Sequence, residues 1–152
     1  MTVPIKSRVV GLRSVKASDL LAHDMNWRVH TGAQRRALRD VFGKIGFSGA
    51  VVARENAEGN LVILDGHLRA EEAGDSEIPV LVVDLNDHEA KLLLSTFDVI
   101  GSMAETDDAM FAKLAPDADG QMLWFAGEQT PRANAPHGQK PTRMGYSFAL
   151  FV

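Results

Sequence analysis

In the stretch TGAQRRALRDVFGKIG, Leu38, Val41, Phe42 and Ile45 fall at i, i+3, i+4 and i+7, the apolar stripe of an amphipathic helix. Thr31 precedes it as an expected N-cap and Gly46 follows as a natural stop. Gly43 weakens this helix without breaking it, and Arg35, Arg36 and Arg39 lie mainly off the stripe. Elsewhere the pattern is alternating or continuously apolar. RVVGLRSVK (8–16) predicts a first strand, and GAVVAR (49–54) and LVIL (61–64) predict a hairpin joined by the turn residues ENAEGN. IPVLVVDL (78–85) predicts a buried β-branched strand with Pro79 at its start. ASDLLAHDMNWRVHTG reads as a turn-rich connection, with Asp19 a candidate cap for one short turn.

Asn86 with Glu89 three residues on has the form of a capping box. It opens a helix through about Ile100, on which Leu93, Phe97 and Ile100 share a face and which Gly101 ends. Asp107 or Asp108 then caps a shorter expected helix up to Leu114. From Asp117 onward Gly and Pro recur around two apolar islands, at 122–126 and 146–152. Islands this apolar call for a strand partner, a place over the core or a binding partner.

Composition narrows the classes. A chain of 152 residues has room for one domain with a tail. With 45% hydrophobic and 24% charged residues it has the make-up of a soluble globular protein. There is no cysteine, which excludes disulfides, thiolate zinc sites and cysteine nucleophiles. No apolar run reaches the ~20 residues of a membrane helix, and MTVPIKSRVVGLRSV lacks the apolar region of a signal peptide. A cytoplasmic protein with no membrane partner is expected. The net charge of −4 argues against standalone DNA binding through phosphates. The one basic cluster, Arg28, Arg35, Arg36, Arg39 and Lys44, reads mostly as a solvated helix face.

The candidate chemistry lies in LVILDGHLRAEEAG (61–74). A strand that stops at a glycine and hands over to a helix leaves backbone N–H groups unpaired, a setting that favours an anion. Gly66 allows close approach, Arg69 adds a bidentate contact, and His67 is a candidate donor or proton shuttle. Asp65 repels phosphate by itself, so its expected role is to hold Mg²⁺ with the phosphates, act as a base, or cap the helix. An ordinary strand-to-helix turn uses the same residues, Asp65 as cap and Gly66 at the bend. Glu71 and Glu72 are expected on an exposed face of the motif helix. His23, His30, His88 and His137 show no metal-ligand spacing and read as surface or loop residues.

In order along the chain, residues 8–105 resemble the ParB N-terminal/sulfiredoxin-like superfamily, often labelled ParB-like nuclease, a compact α+β domain. The matching segments are NWR (26–28), IGFSGAVVA (45–53), VILDGHLRAEEA (62–73), IPVLVVDLNDHEAKLLL (78–94) and STFDVIGS (95–102). The resemblance implies a small mixed sheet with packed helices over 1–105, followed by a short helix and irregular extension over 106–152. Gly66-His67-Leu68-Arg69 departs from the Gly-Glu-Arg-Arg box of partition proteins and is closer to the superfamily's Asp-Gly-His-x-Arg variant. Sulfiredoxin chemistry needs a cysteine in this box and is excluded.

By this resemblance the box binds the phosphates of a nucleotide, ATP or CTP, through Gly66, His67 and Arg69, with Arg28 close by. Asp65 and His67 are the candidate catalytic residues, Asp65 is the candidate Mg²⁺ ligand, and the setting is phage, plasmid or mobile-element DNA. Hydrolysis, phosphoryl transfer and simple binding are all open at this point. The alternatives are a DNA nuclease, or a non-catalytic sensor that meets a second copy or another protein through its apolar C-terminal segment.

Overall fold

The computed structural model describes residues 4–105, 107, 109, 110 and 113. The elements are β1 (Val9–Lys16), a 3-10 turn (Ala17–Asp19), α1 (Gly32–Ile45), β2 (Val51–Glu55), β3 (Leu61–Asp65), α2 (His67–Ala73), β4 (Glu77–Val83) and α3 (Asp87–Ser102). The four strands form one mixed sheet in the order β1-β4-β2-β3. β1 pairs antiparallel with β4, β2 antiparallel with β3, and β2 parallel with β4. The chain leaves β2 through the hairpin to β3 and crosses back through α2 to reach β4. Every predicted strand is present, and the fold is α+β.

The hairpin turn is built by Asn56, whose Oδ1 accepts from the N–H groups of Glu58 and Asn60. Pro79 is tolerated because β2 joins β4 only from Val80 onward, so the proline precedes the part of the strand that is paired on both sides. β4 alternates rather than burying both faces: Ile78, Val80 and Val82 are buried, with half-buried residues between them. These three join Val51, Ala53, Leu61 and Ile63 in a core closed by Ala17 and Leu20 beside the 3-10 turn and by Ala70 of α2. α2 packs on β2, β4 and the 3-10 turn, and α1 packs on α2.

The helix ends follow local chemistry. Thr31 accepts from the Gln34 N–H at 3.1 Å, and the Gly46 N–H closes the last turn of α1 on the Phe42 carbonyl. The capping box is reciprocal: the Glu89 N–H donates to Asn86 Oδ1 at 3.0 Å and the Asn86 N–H to Glu89 Oε2 at 2.9 Å. Asp19 does not cap, because Lys16 occupies the N-cap of its turn. Gly101 does not end α3, which continues to Ser102. The stripe of α1 is buried only at Leu38, Ile45 being 63% exposed, and Phe97 and Ile100 of α3 are exposed as well. Periodicity marked faces that nothing in the described chain covers fully.

The first of two compact units ends at Phe97, within α3, and carries the whole sheet. In the second unit the Met110 N–H donates to Asp107 Oδ1 at 3.0 Å, an N-terminal capping contact, while Asp108 lies outside the described residues. The apolar islands at 122–126 and 146–152 lie outside the described residues. Among the described residues no helix is long and apolar enough to cross a membrane.

Arg8, just ahead of β1, holds two elements at once. Its guanidinium donates to Asp84 Oδ1 at 2.7 Å and forks onto Glu89 at 2.7 and 2.9 Å. The Arg8 contact and the Asn86 N–H together hold the Glu89 carboxyl well below the usual range, at about 2. A carboxylate whose folded pKa is depressed stabilises the fold above its unfolded pKa of ~4.3 and loses that contribution as pH falls toward its folded value. The urea midpoint is therefore expected to fall between about pH 5 and pH 2. Glu89→Gln should show a shallower fall over the same window. An identical pH profile for the variant would show that this fork does not contribute.

Candidate functional site

The motif lies at the end of β3, where Asp65 is the last paired residue, opposite Val52. Gly66, at φ 90° and ψ 25°, is the N-cap of α2 and turns the chain through the left-handed region. Asp65 therefore does not cap the helix. Its carboxylate takes the guanidinium of Arg69, one turn along α2, at 2.7 Å. That pairing bends Arg69 back over the strand end.

Two glycines admit the guanidinium. A Cβ on Gly66 would stand 3.1 Å from Arg69 Nε and Nη2 and 3.2 Å from Val51 Cγ2. A Cβ on Gly49, in the α1–β2 loop, would stand 3.2 Å from Arg69 Nη1. Arg69 thus occupies a slot that only backbone of this slimness leaves open, and it lies across the start of α2. Sequence reasoning placed Gly66 and Arg69 here but missed Gly49, which reads on its own as an ordinary residue before a strand.

His67, the first residue of α2, is 6% exposed. Its Nε2 accepts the backbone N–H of His23 at 3.3 Å, which fixes the neutral ring with its proton on Nδ1. Burial pushes its pKa down, against the pull of Asp65 and Glu71. The lone pair expected to move a proton is thus occupied by the protein itself. His23, read from sequence as a loop residue, is buried at 7% exposure.

Arg28 stands close enough to Asp65 to feel its charge, while partial burial pulls its pKa below the ordinary guanidinium value. Its guanidinium carbon lies 5.8 Å from the Trp27 ring centroid, within reach of a cation–π contact. The Trp27 indole N–H in turn donates to the Leu94 carbonyl of α3 at 3.1 Å. The structure therefore brings Asp65, Gly66, His67, Arg69 and Arg28 into one neighbourhood.

Thr96 spends its hydroxyl on the Leu92 carbonyl within α3, an ordinary helical back-bond. Glu71 is exposed, as expected of that helix face, whereas Glu72 is not. The Glu72 side chain is 6% exposed and bridges Arg35 at 2.8 Å and Arg39, while Glu71 also pairs with Arg35. These contacts pin α1 to α2 and neutralise much of the basic face read from α1.

The donor set suits an anion better than a resident metal. The Arg69 guanidinium fills the glycine slot beside Asp65, and Arg28 stands near the same carboxylate. Among the described residues no group of three or more His, Asp and Glu side chains could hold a metal ion. Mg²⁺ carried with phosphates would have Asp65 as its protein ligand and the phosphates for most of the rest.

No protein-family model and no curated protein matches the sequence. Among solved structures, the chain is similar to C-terminally truncated chromosome-partitioning protein ParB from Caulobacter crescentus complexed with CTP-gamma-S. The TM-score is 0.57 at 16% identity, over 75% of this chain and 65% of that one. The fold is ParB-like. The chain thus spans less than two-thirds of that ParB chain. It is also similar to a Pnob8-like ParB-N domain (TM-score 0.49, 20% identity, 78% of this chain and 50% of that one). Sulfiredoxin from Arabidopsis thaliana matches at TM-score 0.47 and 16% identity, over 55% of this chain and 97% of that one.

Proposed function

We propose that this ParB-like domain binds a nucleoside triphosphate, its phosphates lying at the start of α2 against Gly66, Arg69 and Arg28. The observation that carries the reading is the Arg69 guanidinium laid across Gly66 in a slot cut by two glycines. The ParB structure of the same fold, complexed with CTP-gamma-S, supports CTP as the first nucleotide to try, with ATP beside it. A DNA-related setting rests on the same likeness.

Asp65 is the resting partner of Arg69, a carboxylate in the place an incoming phosphate competes for. With His67 bonded to His23, the site reads first as a binding site, and any Mg²⁺-dependent turnover would fall to Asp65. No observation on the described residues favours the nuclease reading.

Titration calorimetry with CTP, ATP, GTP and inorganic tripolyphosphate, with and without Mg²⁺, tests the reading. Arg69→Ala is expected to weaken binding about 10- to 100-fold, the worth of lost charge-assisted hydrogen bonds. Asp65→Asn is expected to tighten tripolyphosphate binding by freeing Arg69, and to abolish any hydrolysis. Wild-type protein that binds neither nucleotide nor tripolyphosphate would sink the proposal.

A further inference from the structure

The connection between the 3-10 turn and α1 is hung on the sheet by Leu21, whose N–H donates to the Leu61 carbonyl at 2.9 Å and whose carbonyl accepts from Ile63 at 2.8 Å. Two residues on, His23 is buried between exposed neighbours, Ala22 and Asp24. Its backbone N–H donates to His67 Nε2 at 3.3 Å, and its Nδ1 accepts the Met25 N–H at 3.1 Å. Its carbonyl accepts the Asn26 N–H at 3.0 Å. Asn26 Oδ1 then accepts the Arg28 N–H at 3.4 Å. A continuous run of hydrogen bonds thus leads from the first residue of α2 to the main chain of Arg28.

Resting on the nucleotide-binding reading, we propose that His23 is a positioning residue: its buried imidazole, by accepting the Met25 N–H, holds the turn whose further links through Asn26 present Arg28 as the second guanidinium for the phosphates. The chemistry accounts for the residue type. A phenyl ring would fill the space and offer no acceptor to Met25, whereas asparagine places an acceptor near the Nδ1 position and fills less. The exposed Asp24 carboxylate also stands 3.0 Å from Nδ1.

The test is a double-mutant cycle read by calorimetry with tripolyphosphate and CTP. His23→Phe is expected to weaken binding about tenfold and to add nothing further in an Arg28→Ala background, while His23→Asn recovers part of the loss. Equal losses in both backgrounds, or no loss in either, would overturn the proposal. Asn26→Ala cuts the last link at a half-exposed position and serves if His23→Phe does not fold; it should reproduce the loss and be silent in Arg28→Ala. Amide exchange separates this inference from the reading beneath it. Faster exchange at Met25 and Arg28 in His23→Phe, with slow exchange kept in His23→Asn, is expected whether or not a nucleotide binds. Unchanged exchange would overturn the turn-building role, whereas a wild-type protein that binds no tripolyphosphate would overturn only the nucleotide reading.

Discussion

Ile78→Ala is expected to remove about 3 kcal/mol of stability, within the ~2–5 kcal/mol range for truncating a buried isoleucine. Ile78 is 1% exposed and stands on β4 opposite Val15 of β1. β4 is paired with β1 along its whole length and with β2 from Val80 on, so the backbone has little freedom to close around the void, and the cavity contribution is kept nearly whole. Against a total of ~5–15 kcal/mol for a domain, one such loss is a large fraction. The measurement is the urea midpoint at unchanged slope. Ile45→Ala is the companion: it lies on the predicted stripe of α1 yet is largely exposed, so its cost should stay within ~0.5 kcal/mol. Equal costs at the two positions would mean that the core is not where the sheet puts it.

Gly66→Ala is expected to cost about 1–3 kcal/mol of stability, the range for a side chain forced into a sparsely populated backbone region. It should also weaken nucleotide or tripolyphosphate binding at least as much as Arg69→Ala does. Two effects combine at this position. The backbone sits at φ 90°, which a residue with a Cβ enters only under strain. The new Cβ would also press on Val51, which is fully buried and held by the sheet, and on the Arg69 guanidinium, which can swing away. Moving Arg69 is what removes the anion contact. In an Arg69→Ala background the stability cost of Gly66→Ala should shrink, because only the backbone strain and the Val51 contact persist. A cost that stays the same would assign the whole effect to φ and take Arg69 out of the slot.

Much of the fold was legible residue by residue. Thr31, Gly46 and the Asn86–Glu89 box act over three or four positions, so their chemistry is written where it operates. The strands followed from β-branched runs bounded by turn residues, and the Asp65-Gly66 step followed from a strand meeting a helix. The site was legible in part. Gly66 and Arg69 are one turn apart on one element, whereas Arg28 reaches them only through folding of the connection before α1.

By itself, the sequence determined the order of the elements, the helix ends set by Thr31, Gly46 and the Asn86–Glu89 box, and which motif carries charge beside a strand end, because those features depend on neighbours a few positions apart. Only the tertiary structure decided that Glu72 is buried between Arg35 and Arg39, that His23 is interior and tied to His67, and that Gly49 makes half of the slot for Arg69. Apolar periodicity tells which residues share a face. Whether that face is covered, and which distant polar group meets a buried one, depends on how separate elements pack, and no local pattern records it.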